Sequence, residues 1–241
     1  MNPNPIQKSK LRIVPDHYQS LELLFKEEQT AKELIPALCS FVESLDDEYL
    51  KIEPWFIFNA WIDLRPDDKT PFSTVFHAWQ MYHWTPDPST VKSPYFNDST
   101  KTIAEVYLNQ HQNTLTDEQI YILAEARNHP LDLYEVVALN GEYLTLYGLI
   151  SQKKVAVYHP ELSSKARIGE YTLAAVLPID RLRSIFLGHS QLINRRAKPL
   201  IREFCDFIAR CETIPRTFKN FESDLFNLFY DLNHGYLNSR T

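Results

Sequence analysis

The distribution of glycine constrains this 241-residue chain more than any other feature of its sequence. Only five glycines are present, and the first is Gly141, so the N-terminal 140 residues contain none. Phosphate-binding loops, dinucleotide-binding turns and the nucleophile elbows of hydrolases need glycine where the backbone turns tightly or approaches a ligand. None of these motifs can occur in the first half of the chain. The glycine spacing in the second half matches none of them either.

Apolar residues recur at helical intervals through the first 130 residues. They predict a helical stretch over 18–49, in which Pro36 indicates either a kink or two helices that meet near Thr30–Pro36. Further helices are predicted over 54–64, 71–84, 100–111 and 117–128. Thr116 and Gln119 have the spacing of a capping box at the start of the last of these.

The hydrophobic period changes from helical to alternating after Pro130. Asn140-Gly141 stands between two alternating runs and predicts a hairpin, in which both turn residues would need positive φ. Strands are predicted over 133–139, 142–150, 153–159, 171–178 and 182–187. Short strands with turns at regular intervals are typical of a small closed barrel.

The last part of the sequence again has helical periodicity. Pro199 suits the first turn of one helix, and a final helix begins near Phe218 and ends near Gly235. The predicted fold class is therefore α+β, with an N-terminal helical region, a central small antiparallel β-barrel of about five strands, and C-terminal helices. The predicted division is a flexible tail at 1–17, a helical region at 18–130, the barrel at 131–189, and C-terminal helices at 190–241.

The charge is uneven along the chain. Residues 1–130 carry 19 acidic and 11 basic residues, a net of −8, whereas residues 190–241 carry six acidic and eight basic residues, a net of +2. Phosphate affinity comes from clustered lysine and arginine, so only the C-terminal part is suited to RNA. We expect no membrane association and a cytoplasmic location, because no apolar run is long enough to span a bilayer and the N-terminus lacks a secretory signal.

We expect no cofactor and no metal site. His77 and His83 are six residues apart, so on one helix they cannot share a face as metal ligands. The acidic pairs Asp46-Asp47 and Asp67-Asp68 are interpreted as polar turns, although Pro66-Asp67-Asp68-Lys69 resembles part of a metal-dependent nuclease signature. The three cysteines are too few for a disulfide scaffold and are predicted to be reduced. An enzyme with an unrecognised site remains an alternative, because spatial neighbours cannot be read from one sequence.

All four tryptophans lie within 30 residues of one another, namely Trp55, Trp61, Trp79 and Trp84. One interpretation is an aromatic core between two helices. The other is an exposed aromatic groove that binds a peptide or helix, since tryptophan and tyrosine are common interface anchors.

The densest basic cluster of the chain is Arg195, Arg196, Lys198 and Arg202, at the predicted start of a helix. It is either a solvated surface or an anion- or RNA-binding site, and a small β-barrel beside it favours the second, because such barrels often bind oligonucleotides.

Part of the sequence resembles the non-zinc region of bacterial SEC-C-motif-containing proteins, a largely uncharacterised group. The resemblance rests on Phe58-Asn59-Ala60-Trp61 with Asp63, Pro66-Asp67-Asp68 and Thr70-Pro71-Phe72, and on a second stretch that runs from Leu115-Thr116 through Leu133-Tyr134-Glu135-Val136, Leu144 and Leu146 to Ile168-Gly169-Glu170-Tyr171-Thr172-Leu173-Ala174. It covers about half of the chain, from about residue 55 to 180, and implies a helical region leading into a barrel. The cysteine-rich zinc motif of that group is absent, since the tail around Asn233-His234-Gly235-Tyr236 has no cysteine, so no zinc site is implied.

The sequence therefore predicts a non-enzymatic protein-binding or adaptor protein with a protein partner. The alternatives are an RNA-binding accessory factor that uses the barrel and the basic cluster, and an enzyme with an unrecognised site.

Overall fold

A computed structural model describes residues 17–62, 69–96, 100–180, 183–187, 192–211, 213–215 and 218–232. Within them the chain forms eight α-helices and six β-strands. Five strands close into a barrel between N-terminal and C-terminal helices, which confirms the predicted α+β class. The predicted tail lies outside the described residues except for His17, and the division into regions stays a prediction.

The N-terminal part consists of α1 (His17–Ser44), α2 (Glu48–Ile62) and α3 (Lys69–Tyr82). The alternative of two helices meeting near Pro36 is wrong, because α1 continues through this residue. Leu34 and Leu38 are buried on either side of Pro36, while Pro36 itself is exposed. Their burial offsets the loss of one backbone hydrogen bond at the proline.

Two further helices, α4 (Ile103–His111) and α5 (Asp117–Glu125), begin with capping boxes. The box predicted for α5 is confirmed, since the Thr116 hydroxyl accepts a hydrogen bond from the Gln119 backbone N–H at 3.3 Å. The Gln119 side chain accepts one in return from the Thr116 N–H at 3.0 Å. Thr102 and Glu105 form an equivalent box that the sequence analysis missed.

The barrel strands are β1 (Leu131–Asn140), β2 (Tyr143–Gly148), β3 (Lys154–Tyr158), β4 (Tyr171–Pro178) and β5 (Ser184–Phe186). They are ordered β1-β2-β3-β5-β4, and β4 pairs with β1 to close the barrel. The pairing of β3 with β5 is parallel, because the short helix α6 (Pro160–Lys165) and β4 intervene between them and β5 returns in the direction of β3. The barrel is therefore mixed, and the predicted antiparallel pairing holds for its other four strand pairs.

The predicted hairpin joins β1 to β2, but its loop is shifted by one residue. Asn140 is the last paired residue of β1 and lies opposite Tyr143, so the loop residues are Gly141 and Glu142. Gly141 has a φ of +60°, whereas Asn140 does not have positive φ. Only one of the two residues in the Asn-Gly signal therefore occupies the left-handed region that glycine tolerates best.

The two faces of the barrel wall belong to different cores. Its interior is filled by side chains that include Tyr134, Val136 and Phe186. The opposite faces of β1, β4 and β5 pack into the larger core that the helices share, with Leu177 and Ile185 among the buried residues. The alternation of the strands thus joins the barrel to the helical region through apolar contacts.

The C-terminal part adds a short strand, β6 (Leu192–Ile193), which pairs with β4 outside the closed barrel. The helices α7 (Lys198–Arg210) and α8 (Glu222–Leu232) follow, and α8 packs against α2. Gly235, the predicted end of the last helix, lies outside the described residues. Cys39, Cys205 and Cys211 are free thiols. In the described part of the chain, no helix combines the length and the apolar character that a membrane span requires.

Candidate interaction surfaces

The tryptophans predicted to line an exposed groove lie mainly in the core. Trp79 and Trp84 are only 2% and 6% exposed, so neither can line such a groove, and this part of the prediction is wrong. Trp55 is half-buried against the same core, and the side chain of Trp61 lies outside the described residues.

The physical reason is that α2, α3 and α8 turn their aromatic residues toward one another. The Trp79 ring lies 5.9 Å from that of Phe58 and 6.2 Å from that of Phe226, distances typical of packed aromatic pairs. The buried indole N–H of Trp79 donates a hydrogen bond to the Glu222 carboxylate, which satisfies the one polar group of the ring. The cluster is therefore the aromatic core that was the alternative interpretation.

An exposed apolar surface lies instead on the outer side of α2. Tyr49, Ile52 and Phe56 are 48%, 46% and 66% exposed. Their spacings of three and four residues place them on one face of the helix. We call these three residues the α2 stripe. Leu50 and Phe58 of the same helix are fully buried, so α2 is apolar on both its inner and its outer face.

Carboxylates border the α2 stripe. On a helix of 3.6 residues per turn, Glu48 lies on one side of the stripe and Glu53 on the other. Burial raises the pKa of Glu53, and the neighbouring Asp87 and Asp47 carboxylates raise it further, while a hydrogen bond from the Thr90 hydroxyl opposes the shift. The carboxylates of Glu53, Asp87 and Asp47 therefore lie near one another along this edge of α2.

The Asp47 carboxylate fixes the loop beside this surface. It accepts hydrogen bonds from the backbone N–H groups of Lys92 and Ser93, both at 2.7 Å, and from that of Tyr49 at 3.1 Å. The loop carrying Asp87 is thereby held against the start of α2. The position of Asp87 relative to the α2 stripe is therefore fixed.

The predicted basic cluster is on the surface. Arg195 and Arg196 lie in a single 3-10 turn before α7, and Lys198 and Arg202 lie in its first two turns, and all four are exposed. The Asn194 side chain orders this turn by accepting a hydrogen bond from the Arg196 N–H at 3.0 Å. Across the described ranges, none of these four cations forms a salt bridge, so all four charges are available to a ligand.

The barrel wall beside the basic cluster is not uniformly positive. Strand register places Lys154, Tyr147, Glu135 and Tyr171 side by side across β3, β2, β1 and β4. Burial and the nearby Glu135 carboxylate together raise the pKa of Tyr171 to about 12, and Arg202 opposes the shift. Glu135 thus stands between the basic cluster and Lys154, and it interrupts the continuous positive surface that favours RNA.

The histidines and carboxylates give no catalytic arrangement that we would assign. One pair of described residues is His159 and Glu28, whose Nε2 and Oε1 atoms are 3.5 Å apart. Lys32 also forms a salt bridge to Glu28, at 2.9 Å. The neighbouring Ser163 hydroxyl donates a hydrogen bond to the Gly141 carbonyl at 2.7 Å, so it bonds to backbone and not to His159. Among the described residues, no group of three or more histidine, cysteine, aspartate or glutamate side chains is placed to hold a metal ion.

Comparison of the chain with protein-family models, with curated proteins and with solved structures finds no match. Nothing in these comparisons bears on the resemblance to SEC-C-motif-containing proteins, which stays a prediction. The class of protein is therefore described by the fold alone, which is a small mixed barrel with helices before and after it in the chain.

The sequence analysis missed Tyr49 and Ile52. The predicted helix begins only at residue 54, whereas α2 begins at Glu48, so Tyr49 and Ile52 lie outside it. The stretch is also so apolar that the inner and outer faces of α2 are indistinguishable by periodicity.

Proposed function

We propose that this is a non-enzymatic protein-binding or adaptor protein that acts in the cytoplasm and binds its partner through the α2 stripe. The observation that carries the proposal is the exposure of Tyr49, Ile52 and Phe56 on one face of a helix whose opposite face is buried. Clustered exposed apolar residues on a folded surface typically mark an interaction site, and aromatic side chains are frequent anchors there.

An affinity capture from host lysate tests this function. The wild-type protein is compared with the double variant Ile52→Ser with Phe56→Ser, which removes apolar surface from exposed positions and should leave the fold intact. Ile168→Ser is the matched control, because Ile168 is 60% exposed on a loop of the barrel region. We expect a partner that survives nuclease treatment, is retained by the control, and is lost with the double variant. Equal capture by all three proteins would contradict the proposal.

A second candidate function is RNA binding through the basic cluster, and its four exposed cations, which form no salt bridge within the described ranges, favour it. We expect Arg195→Glu with Arg196→Glu to weaken RNA binding in a filter assay without affecting folding. The matched control is Lys26→Glu with Lys92→Glu, which reverses two exposed charges outside the barrel and the basic cluster. Unchanged binding in the Arg195 and Arg196 variant, or an equal loss in both variants, would remove this candidate.

For the remaining alternative, an enzyme, the described part of the chain offers no residue set to which we would assign a reaction.

A further inference from the structure

Carboxylates around the α2 stripe restrict which partners can bind to it. Asp46 and Glu48 are exposed at the N-terminal end of the helix, and Glu53 and Asp87 lie along one side. The single lysine of α2, Lys51, is neutralised by a salt bridge to Glu43 at 3.2 Å. In this described neighbourhood, Lys92 of the adjacent loop is the one exposed cation that remains. The surface is therefore apolar along its centre and acidic at its edges.

We propose that the α2 stripe binds a basic amphipathic helix of a partner protein, whose apolar residues pack on Tyr49, Ile52 and Phe56 and whose lysines or arginines face the surrounding carboxylates. This inference rests on the proposed function and specifies the chemistry of the partner. Opposite charges at the rim steer association and exclude acidic competitors, while the buried apolar anchors supply most of the affinity.

The dimensions of the α2 stripe favour a helical partner. Its three residues span two turns of α2, which is about 10 Å at a rise of about 1.5 Å per residue. A second helix laid across it presents apolar residues at matching intervals of three and four, with polar residues on either side.

A second copy of this chain is a poorer fit. In a two-fold dimer through α2, the same surface of both copies meets, so Glu48 and Glu53 of one copy would face the same carboxylates of the other. Like charges brought together in this way oppose association. A head-to-tail contact between the α2 stripe and the basic cluster of another copy is heterologous, so it would build a ring or an open chain of molecules and not a two-fold dimer.

The test uses the full-length protein and a labelled synthetic 18-residue helical peptide of leucine, alanine and lysine, with leucines on one face and lysines along both borders. A second peptide carries glutamate at every lysine position. We expect saturable binding of the lysine peptide in fluorescence anisotropy, weakened about threefold between 50 and 300 mM NaCl by screening of exposed charges. We expect the glutamate peptide to bind about tenfold more weakly or not at all.

Two sets of variants locate the binding. Ile52→Ser with Phe56→Ser should weaken the lysine peptide about tenfold, while Ile168→Ser leaves it unchanged. Asp46→Lys with Glu48→Lys should weaken the lysine peptide and strengthen the glutamate peptide, a reversal that general damage to the fold cannot produce. Circular dichroism and thermal unfolding of each variant check that it is folded.

Three results would overturn the inference. The first is that the lysine peptide shows no saturable binding, and the second is that the two peptides bind equally well. The third is concentration-dependent dimerisation in sedimentation that the Ile52 and Phe56 variant abolishes. This third result would assign the surface to a second copy of the chain. If lysate capture still depends on Ile52 and Phe56 in these cases, the protein-binding function stands and only the charge of the partner is wrong. If neither lysate capture nor peptide binding depends on Ile52 and Phe56, the proposed function is wrong as well.

Discussion

Asp132 and Gly148 approach so closely that a Cβ atom at position 148 would lie 2.3 Å from Oδ2 of the Asp132 carboxylate. This carboxylate also accepts hydrogen bonds from the backbone N–H groups of Ile150 and Ser151, both at 3.0 Å. The turn from β2 toward β3 is thus folded around a buried acid on β1. Burial raises the pKa of Asp132, and these hydrogen bonds oppose the shift.

We expect Gly148→Ala to lower the free energy of unfolding by about 1–3 kcal/mol, because a methyl group at this position overlaps the Asp132 carboxylate and forces local rearrangement. Gly141→Asn is the matched control. Gly141 has positive φ, but a Cβ atom added there would meet nothing within 4 Å, and asparagine tolerates that conformation. Urea denaturation of the three proteins measures the difference. Equal stability of Gly148→Ala and the wild type would mean that the turn adjusts without loss.

The adjacent acids Asp46 and Asp47 provide a second comparison. Asp47 is buried and accepts three backbone hydrogen bonds, whereas Asp46 is exposed. We expect Asp47→Ala to lower stability by about 2–3 kcal/mol, since it removes three charge-assisted hydrogen bonds and takes the acceptor from the buried Ser93 N–H group. Asp46→Ala should lie within about 0.5 kcal/mol of the wild type.

Hydrogen exchange distinguishes the cause of this loss. In Asp47→Ala, the amides of Lys92 and Ser93 should exchange faster than in the wild type, while the amides of the barrel strands keep their protection. Unchanged exchange at these two positions would show that Asp47 does not hold the loop.

Much of the architecture followed from the sequence because its signals are local. Periodicity and turn chemistry of neighbouring residues predicted the barrel strands, the helices around them and the capping box at Thr116. The structure confirms these predicted elements. The parallel pairing of β3 with β5 did not follow, because it depends on where two strands separated by α6 and β4 meet in space. The same limit applies to the interaction surfaces. Composition located the aromatic cluster, but which face of α2 stays exposed is decided by the packing of α8, a helix far along the chain.

The His159 imidazole gives the stability a defined pH dependence. Its Nδ1 accepts a hydrogen bond from the Leu162 N–H at 3.1 Å at the start of α6, so the proton of the neutral ring is on Nε2, facing Glu28. Burial lowers the pKa of His159 below its usual 6.5, Glu28 and Glu161 oppose this shift, and Lys32 adds to it. The unfolded chain therefore binds a proton at this histidine more readily than the folded protein does.

Stability from this group is complete above about pH 6.5 and is lost as the pH falls toward the lower pKa of the folded state. His159→Asn keeps a residue that can cap α6 and removes the titration. We expect the difference in unfolding free energy between the wild type and His159→Asn to shift in favour of the variant as the pH falls from 7.5 to 5.5. Urea denaturation at several pH values measures this difference, in which the titrating groups that do not interact with His159 cancel. A difference that is independent of pH would mean that His159 titrates alike in both states.

The hydrogen bond from the Trp79 indole to Glu222 joins α3 to the first turn of α8 inside the aromatic core. Burial raises the pKa of Glu222, and the hydrogen bond from Trp79 and the charge of Lys219 oppose this shift. Glu222→Leu removes the hydrogen bond between the Glu222 carboxylate and the Trp79 indole, so we expect a loss of about 1–3 kcal/mol in urea denaturation. Glu222→Gln retains an acceptor oxygen and should be clearly more stable than Glu222→Leu. Asp224→Ala, an exposed acid in the same turn, should be close to the wild type. If Glu222→Leu matched the wild type, the pairing with Trp79 would contribute nothing to the docking of α8 on α2 and α3.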